Sequence, residues 1–210
     1  MKTYCVVGID TGIGKTQAVG HLAREALLRC EGVITFKPVQ TGCLGISEDI
    51  LRHRQIMGIG VMDEDVNGLT CPYVFPYPAS PHFAAEKQSR AIDPRVMDNC
   101  LKSLEQSYSQ VIMEGAGGLM VPLTRDLLLI DYLAERKIPV ILVTSGRLGS
   151  LNHTLLSLEA LKLRAIPLLG LIFNLHQESS REISLETQRF LKSQCYGLPF
   201  RILSGSGFMD

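Results

Sequence analysis

The chain has 210 residues, of which 46% are hydrophobic and 20% charged, so we expect a globular protein with its own core rather than a disordered chain. Its 21 basic residues balance its 21 acidic residues, and this neutrality excludes the bulk basic field of a general nucleic-acid binder. A single domain over residues 1–210 is the simplest organisation that fits this length.

Short apolar runs alternate with helical patterns along the chain. The predicted strands are 4–9, 33–36, 110–113, 140–144 and 168–173, and the predicted helices are 15–30, 94–107, 127–136, 150–163 and 180–193. The strands are continuously apolar, as strands buried on both faces are. This alternation predicts an α/β fold with a mainly parallel central sheet between two helical layers. The proline-rich segment 58–89 is predicted to be a long, partly structured connection near a site.

Cysteine usage and the lack of long apolar runs bear on location. The six cysteines are scattered without a CxxC pair, which favours reduced thiols over a disulfide framework or a zinc site. The apolar run before Asp10 is too short for a signal peptide, and no stretch approaches the ~18 apolar residues of a membrane span. We therefore expect a cytoplasmic protein that does not contact membranes.

The strongest motif is the segment 8–16, GIDTGIGKT, which follows a predicted strand and opens a predicted helix. Its glycines let successive N–H groups point inward, and the helix N-terminus completes an anion site. Lys15 adds a positive charge for phosphates, and the Thr16 hydroxyl is placed to bind Mg²⁺. Five residues separate Gly8 from Gly14 where four are usual, so the sequence predicts a variant phosphate-binding loop and a P-loop NTPase-like fold.

Two carboxylates are candidate partners for a metal at this loop. Glu114 follows an apolar strand, and ligands of open α/β sheets bind beyond the carboxyl ends of strands. Asp49 is the second candidate, although Ser47 can instead cap a helix that merely carries Asp49 in its first turn. The sequence alone leaves these two interpretations of Asp49 open.

Two further positions are predicted to lie near the loop. Lys37 ends the second predicted strand, because Pro38 prevents its continuation, and a cation there suits an anionic group or a transferring phosphoryl group. The turn at 148–152 exposes N–H groups that can hold a carboxylate, while an ordinary helix cap at Ser150 is the alternative.

Taken in order, several motifs resemble those of the dethiobiotin synthetase family. They cover the chain from its N-terminus to about Asn174: DTGIGKT at 10–16, KP at 37–38, TG at 41–42, SPH at 80–82, EGAGG at 114–118 and LGSLNH at 148–153. The resemblance implies an ATP- and Mg²⁺-dependent ligase that turns 7,8-diaminononanoate and CO₂ into dethiobiotin, with release of ADP and phosphate. It also implies a carbamate, a carbamic–phosphoric mixed anhydride and a homodimer.

The resemblance also implies roles for individual residues. The residues implied for catalysis are Lys37, Lys15 and Thr11, and those implied to bind the metal are Thr16, Asp49 and Glu114. The residues implied to bind the nucleotide are Gly12, Ile13, Gly14, Lys15, Thr16, Val19 and Asn174. The residues implied to bind the substrate are Thr41, Gly117, Ser150, Leu151 and Asn152. The last three would bind the substrate carboxylate from the partner subunit.

Some residues depart from the family pattern. Ile9 stands where the family usually has Thr, and Gly12 stands where some members have Glu. The segment after Leu203 matches no motif and leaves part of the adenine pocket undefined. The main alternative is a P-loop switch ATPase of the partitioning type, but those proteins typically carry an additional lysine early in the loop, and none precedes Lys15 here.

Overall fold

The computed structural model describes residues 2–177, 180–195 and 197–209, within which nine strands and eight helices form. The strands are β1 Thr3–Gly8, β2 Val33–Phe36, β3 Val39–Thr41, β4 Tyr73–Phe75, β5 Gln110–Gly118, β6 Val140–Ser145, β7 Leu168–Asn174, β8 Phe200–Ser204 and β9 Gly207–Met209. The helices are α1 Lys15–Leu28, α2 Glu48–Met57, α3 Asp63–Val66, α4 Pro81–Lys87, α5 Pro94–Ser107, α6 Leu129–Glu135, α7 Ser150–Leu163 and α8 Arg181–Gln194.

Seven strands form the central sheet in the order β2-β5-β1-β6-β7-β8-β9. All neighbouring pairs are parallel except the last, in which β9 runs antiparallel to β8. The predicted fold class, a mainly parallel sheet with helices around it, is confirmed. In a parallel sheet the carboxyl ends of neighbouring strands meet at one edge, and that edge is where ligands bind.

Both faces of the sheet are buried, as the continuous apolar strands predict. Along β1, Cys5 and Val7 belong to a core that includes side chains of α5 and α6. Tyr4 and Val6 belong to a second core that includes the apolar face of α1. This alternation gives the three layers α/β/α.

The segment 58–89 is more regular than the partly structured connection that was predicted. It contains α3, β4 and α4, and β4 pairs in parallel with β3 to form a small second sheet. The many prolines of this segment had argued against regular elements, but Pro81 occupies the first turn of α4, where proline is well tolerated. This small sheet places Thr41 beside the main sheet's ligand-binding edge.

The predicted strands omitted the C-terminal end of the sheet, where two further strands, β8 and β9, follow β7. The β8–β9 hairpin extends the sheet, and Gly207 lies so close to α1 that a Cβ there would come within 3.1 Å of the His21 ring.

Among the described residues, no helix combines the length and apolar character required to cross a membrane. All six cysteines are free.

Candidate active site

The loop between β1 and α1 forms the predicted anion site. Gly12 has φ +70° and Gly14 has φ +103°, a conformation that side chains with a Cβ rarely adopt. Gly14 caps α1 with its backbone, and within the described residues no side chain caps this helix end. The first N–H groups of α1 therefore face the loop interior, where the helix dipole favours negative charge.

Lys15 lies at the base of this loop with only 6% of its surface exposed. Its Nζ donates a hydrogen bond to the backbone oxygen of Asp10 at 3.0 Å. Burial and the positive charge of Lys37 lower the pKa of Lys15 to about 8. The charges of Glu114, Asp49 and Asp10 act in the opposite direction but do not outweigh these two causes, and an incoming polyphosphate would add negative charge beside Lys15.

Lys37 emerges directly from the end of β2, because Pro38 interrupts the strand. Its Nζ lies 2.7 Å from Asp49 Oδ2 and 2.8 Å from Glu114 Oε1. Burial alone would lower the pKa of Lys37, but the two carboxylates outweigh burial and raise it. Lys37 is therefore a permanently charged group at the predicted site.

Three oxygen ligands converge beside Lys37. Thr16 Oγ1 lies 2.9 Å from Asp49 Oδ1 and 3.1 Å from Glu114 Oε1. Hydroxyl and carboxylate oxygens are the donors that Mg²⁺ prefers, and one or two carboxylates suffice when nucleotide phosphates provide further ligands. The donor set therefore fits magnesium held jointly by protein and nucleotide.

The two interpretations of Asp49 left open by the sequence are compatible. Ser47 caps α2 by accepting a hydrogen bond from the Ile50 N–H, which places Asp49 in the first helical turn. From that turn the Asp49 carboxylate also reaches Lys37 and Thr16. The helix cap positions this carboxylate at the site.

Glu114 lies within β5 rather than at its end, contrary to the predicted strand boundary. The register between β1 and β5 shifts here, because Val6 pairs with Glu114 whereas Gly8 pairs with Gly118. Such irregularities redirect side chains. Burial would raise the pKa of Glu114, but Lys37 and His53 outweigh burial and lower it, so the carboxylate stays ionised.

His53 was not predicted to lie at the site. It is fully buried, with Nε2 2.7 Å from Glu114 Oε2 and Nδ1 3.1 Å from Thr35 Oγ1. A signal was present in the sequence, because His53 follows Asp49 by four residues and so shares its face of α2. Without a predicted α2 that spacing had no meaning.

A cavity of about 460 Å³ adjoins the loop on one side. Its lining includes three of the predicted catalytic or substrate residues, Thr11, Thr41 and Gly117, together with the segment 78–81. A Cβ on Gly117 would come within 2.6 Å of Val121 Cγ2, so glycine leaves room there. The volume lies in the range of small-molecule sites.

A second cavity, of about 360 Å³, lies on the other side of Gly14. Asn174 lines this cavity and donates from Nδ2 to the Ile13 oxygen at 2.9 Å. The segment 203–205 from the β8–β9 hairpin also lines it. The C-terminal segment that matched no motif is thus part of this cavity. Val19, which was predicted to bind the nucleotide, is buried on the inner face of α1 and is not among the residues that line this cavity.

The start of α7, where the sequence predicts a carboxylate site, is capped by a different residue from the Ser150 that the sequence offered as the alternative. Gly149, with φ +90°, is the cap residue, and Ser150 is a buried first-turn residue whose Oγ lies 3.1 Å from Ser145 Oγ. Leu151 is half-buried and Asn152 is exposed.

The start of α7 is connected to the phosphate-type loop through an ion pair. Arg147, just before α7, forms this pair with Asp10 at 2.8 Å. Burial raises the pKa of Asp10, but the Thr11 N–H and Arg147 outweigh it and lower the pKa.

Comparisons with known proteins show which proteins this chain is similar to. A protein-family model described as an AAA domain matches residues 2–194. A protein of Pasteurella multocida named ATP-dependent dethiobiotin synthetase BioD 2 is 49% identical over 91% of this chain and 90% of its own. A protein of Chlorobaculum tepidum named ATP-dependent dethiobiotin synthetase BioD is 46% identical over 90% of this chain and 80% of its own.

Solved structures share the fold at much lower identity. FlhF complexed with GMPPNP and Mg²⁺ superimposes with a TM-score of 0.56 and 15% identity, over 98% of this chain and 67% of that one. A ParA family ATPase from Chlorobium tepidum TLS superimposes with a TM-score of 0.55 and 15% sequence identity, and the match covers 96% of this chain and 83% of that one.

The parallel sheet, the glycine loop and the Lys15–Thr16 helix start define a P-loop nucleotide-binding enzyme of the α/β class. The identity to the curated relatives resolves the class further. The chain belongs to the dethiobiotin synthetase family.

Proposed function

We propose that the protein uses ATP and Mg²⁺ to carboxylate 7,8-diaminononanoate and close it to the cyclic urea dethiobiotin. The observation that carries this proposal is the contact of Lys37 with two carboxylates that also reach Thr16 at the end of the phosphate-type loop, while Thr11 of the same loop lines a cavity of about 460 Å³. The proposal follows the name that the relatives carry and extends it to individual residues.

ATP is proposed to bind with its phosphates on residues 12–16 and its adenine in the cavity of about 360 Å³. The support is the start of α1, which no side chain caps among the described residues, the charge of Lys15, and the Asn174 amide that lines the cavity. Thr16, Asp49 and Glu114 would hold Mg²⁺. When bound, the metal supplies neutralisation of phosphate charge and fixes phosphate geometry.

The diamine is proposed to lie in the cavity that Thr11, Thr41 and Gly117 line. One amine adds to CO₂ and loses a proton, which gives a carbamate. A carbamate oxygen then attacks the γ-phosphorus while the bond to ADP breaks, and Lys37 stabilises the negative charge during transfer. Thr11 and Thr41 orient the carbamate through their hydroxyls.

Ring closure completes the proposed reaction. The second amine attacks the carbonyl of the mixed anhydride, phosphate departs, and the departing phosphate can accept the proton that the amine loses. The second amine and the anhydride belong to the same molecule, and a cavity that holds them in the orientation for attack lowers the entropic cost of ring closure. The chain supplies position and charge rather than a covalent nucleophile.

The substrate tail is proposed to bind a second copy of the chain. Ser150, Leu151 and Asn152 would offer the start of α7 to the tail carboxylate, within a homodimer in the cytoplasm. The support is the exposure of Asn152 and the first-turn position of all three residues, where N–H groups and the helix dipole favour an anion.

Phosphate release distinguishes this reaction from that of a partitioning-type ATPase, whose fold is similar. The protein is mixed with ATP, Mg²⁺ and bicarbonate, and phosphate is followed before and after addition of the diamine. The proposal predicts release that depends on the diamine. Release at the same rate without the diamine would support a switch ATPase instead.

A further inference from the structure

A chain of buried polar groups supports Glu114 from the side opposite the loop. Glu114 uses Oε1 for Lys37 and Thr16, whereas Oε2 faces only His53 among the hydrogen bonds of its side chain in the described residues. The Nδ1 of His53 meets the Thr35 hydroxyl, and Thr35 Oγ1 in turn accepts a hydrogen bond from Arg54 Nη1 at 3.0 Å. The two oxygens of Glu114 therefore contact different partners: Oε1 faces the site and Oε2 faces the buried histidine.

The direction of the hydrogen bonds follows from which groups can donate. Arg54 can only donate, so Thr35 accepts from it and is free to donate its own proton to Nδ1 of His53. His53 then presents Nε2–H to the ionised Glu114, which can only accept. The order Arg54, Thr35, His53, Glu114 satisfies every group in a region that water does not reach.

The far end of this chain is anchored. Arg54 forms a two-pronged ion pair with Asp65, from Nε to Oδ2 at 2.9 Å and from Nη2 to Oδ1 at 2.8 Å. Asp65 also accepts from the Thr70 hydroxyl at 2.8 Å and from the Met62 N–H at 2.9 Å. Such a planar pair has little freedom to rotate, so the position of Thr35 and His53 is fixed by α2 and α3 together.

We propose that His53 is a positioning residue that fixes the Glu114 carboxylate so that Oε1 points at Thr16 and Lys37. Without the hydrogen bond to Oε2, the carboxylate can rotate about its terminal bond and also leaves a buried acceptor unpaired. Glu114 would then be a poorer ligand in the oxygen cluster. This inference rests on the proposed function only in taking that cluster as the Mg²⁺ site.

Two amide substitutions at His53 separate positioning from general packing. The amide nitrogen of glutamine reaches the position of Nε2, whereas that of asparagine reaches only the position of Nδ1. His53→Gln therefore keeps the donor to Glu114, and His53→Asn loses it at a similar polarity. Thr35→Ser, which keeps the hydroxyl, and Thr35→Val, which removes it, form a second pair.

The test is Mn²⁺ binding, followed by electron paramagnetic resonance in the presence of a non-hydrolysable ATP analogue, with urea unfolding of each variant as a check on folding. We expect His53→Asn to weaken Mn²⁺ binding about 10–100-fold, the range found for supporting partners of metal ligands. His53→Gln and Thr35→Ser should stay within about threefold of the wild type, and Thr35→Val should weaken binding more than Thr35→Ser.

Equal Mn²⁺ affinity of the glutamine and asparagine variants, or of the serine and valine variants, would overturn the positioning role. If the wild type itself retains no Mn²⁺ with the nucleotide analogue, both this inference and the proposed magnesium site fail. If the wild type binds Mn²⁺ and all variants bind it with the same affinity as the wild type, the positioning role of His53 is rejected while the proposed magnesium site stands.

Discussion

Lys37 Nζ and Glu114 Oε1 lie 2.8 Å apart, and both side chains are almost completely buried. Two residues 77 positions apart in the sequence thus form an ion pair at the carboxyl edge of adjacent strands β2 and β5. The pair holds a positive charge next to the phosphate-type loop before any nucleotide is present. Four predictions follow from this arrangement and its surroundings.

Lys37→Ala should lower kcat by on the order of 10²–10³-fold, the effect of removing a group that stabilises charge formed in the transition state. The Kd of ATP should change by less than about fivefold, because Lys15 and the loop hold the ground-state phosphates. Kinetics and nucleotide calorimetry give the two quantities, with the exposed Lys162→Ala as control. An equal loss in ATP affinity would show that Lys37 is merely a nucleotide ligand.

Nucleotide binding should take up a proton at pH near and above 8. Lys15 has a pKa of about 8 in the free protein, and bound phosphates raise it, so the unbound state carries fewer protons in this window. Affinity should therefore fall as pH rises above about 8, by up to about tenfold per pH unit. Calorimetry in buffers of different ionisation enthalpy measures the proton uptake.

The matched control for this pH effect is Lys15→Arg, whose guanidinium stays charged throughout the range. This variant should bind nucleotide with an affinity that does not depend on pH between 8 and 9.5. A wild type with the same flat profile would show that Lys15 is already fully charged there.

Gly14→Ala should weaken nucleotide binding by about tenfold or more. A Cβ at Gly14 would lie 2.3 Å from Asn174 Nδ2, so the amide that lines the proposed adenine cavity must move. Gly58→Ala is the matched control, because Gly58 has φ +76° but no atom within 4 Å of an added Cβ. It should lose stability through backbone strain and keep its nucleotide affinity. Equal nucleotide affinities in the two variants would contradict a role for Asn174 at this cavity.

Asn152→Ala should raise the KM for the diamine about tenfold and leave the KM for ATP unchanged. The proposed reason is the loss of a polar contact to the substrate tail from the start of α7 of a second subunit. Asn99→Ala, on the exposed face of α5, serves as control. A protein that sediments as a monomer with full activity would rule out the shared site.

The phosphate-type loop and its partners were predictable because their signals are local. The loop motif marks Lys15 at the start of a helix, the proline after Lys37 marks the end of β2, and the apolar run before Glu114 marks a strand that leads to the same edge. Since parallel strands share one edge, local signals are enough to bring these residues together. The structure also ends β5 five residues later than predicted, because Gly118 still pairs with β1 although glycine has a low strand propensity.

The remaining elements depend on non-local contacts. β3 and β4 are three residues each and pair across more than thirty positions, so neither has a periodicity of its own to detect. The β8–β9 hairpin is stabilised by packing against α1 through His21 and Phe208. The buried network around His53 was missed because it joins α2, β2 and β5, and α2 was not predicted beyond its possible first turn.

The central claim is tested most directly by following carbon from bicarbonate into product. The protein is incubated with ¹³C-bicarbonate, 7,8-diaminononanoate, ATP and Mg²⁺, and the products are analysed by mass spectrometry together with the ADP formed. The account predicts a cyclic urea that carries one ¹³C atom, formed in equal amount to ADP. ADP formed without labelled cyclic urea would contradict it.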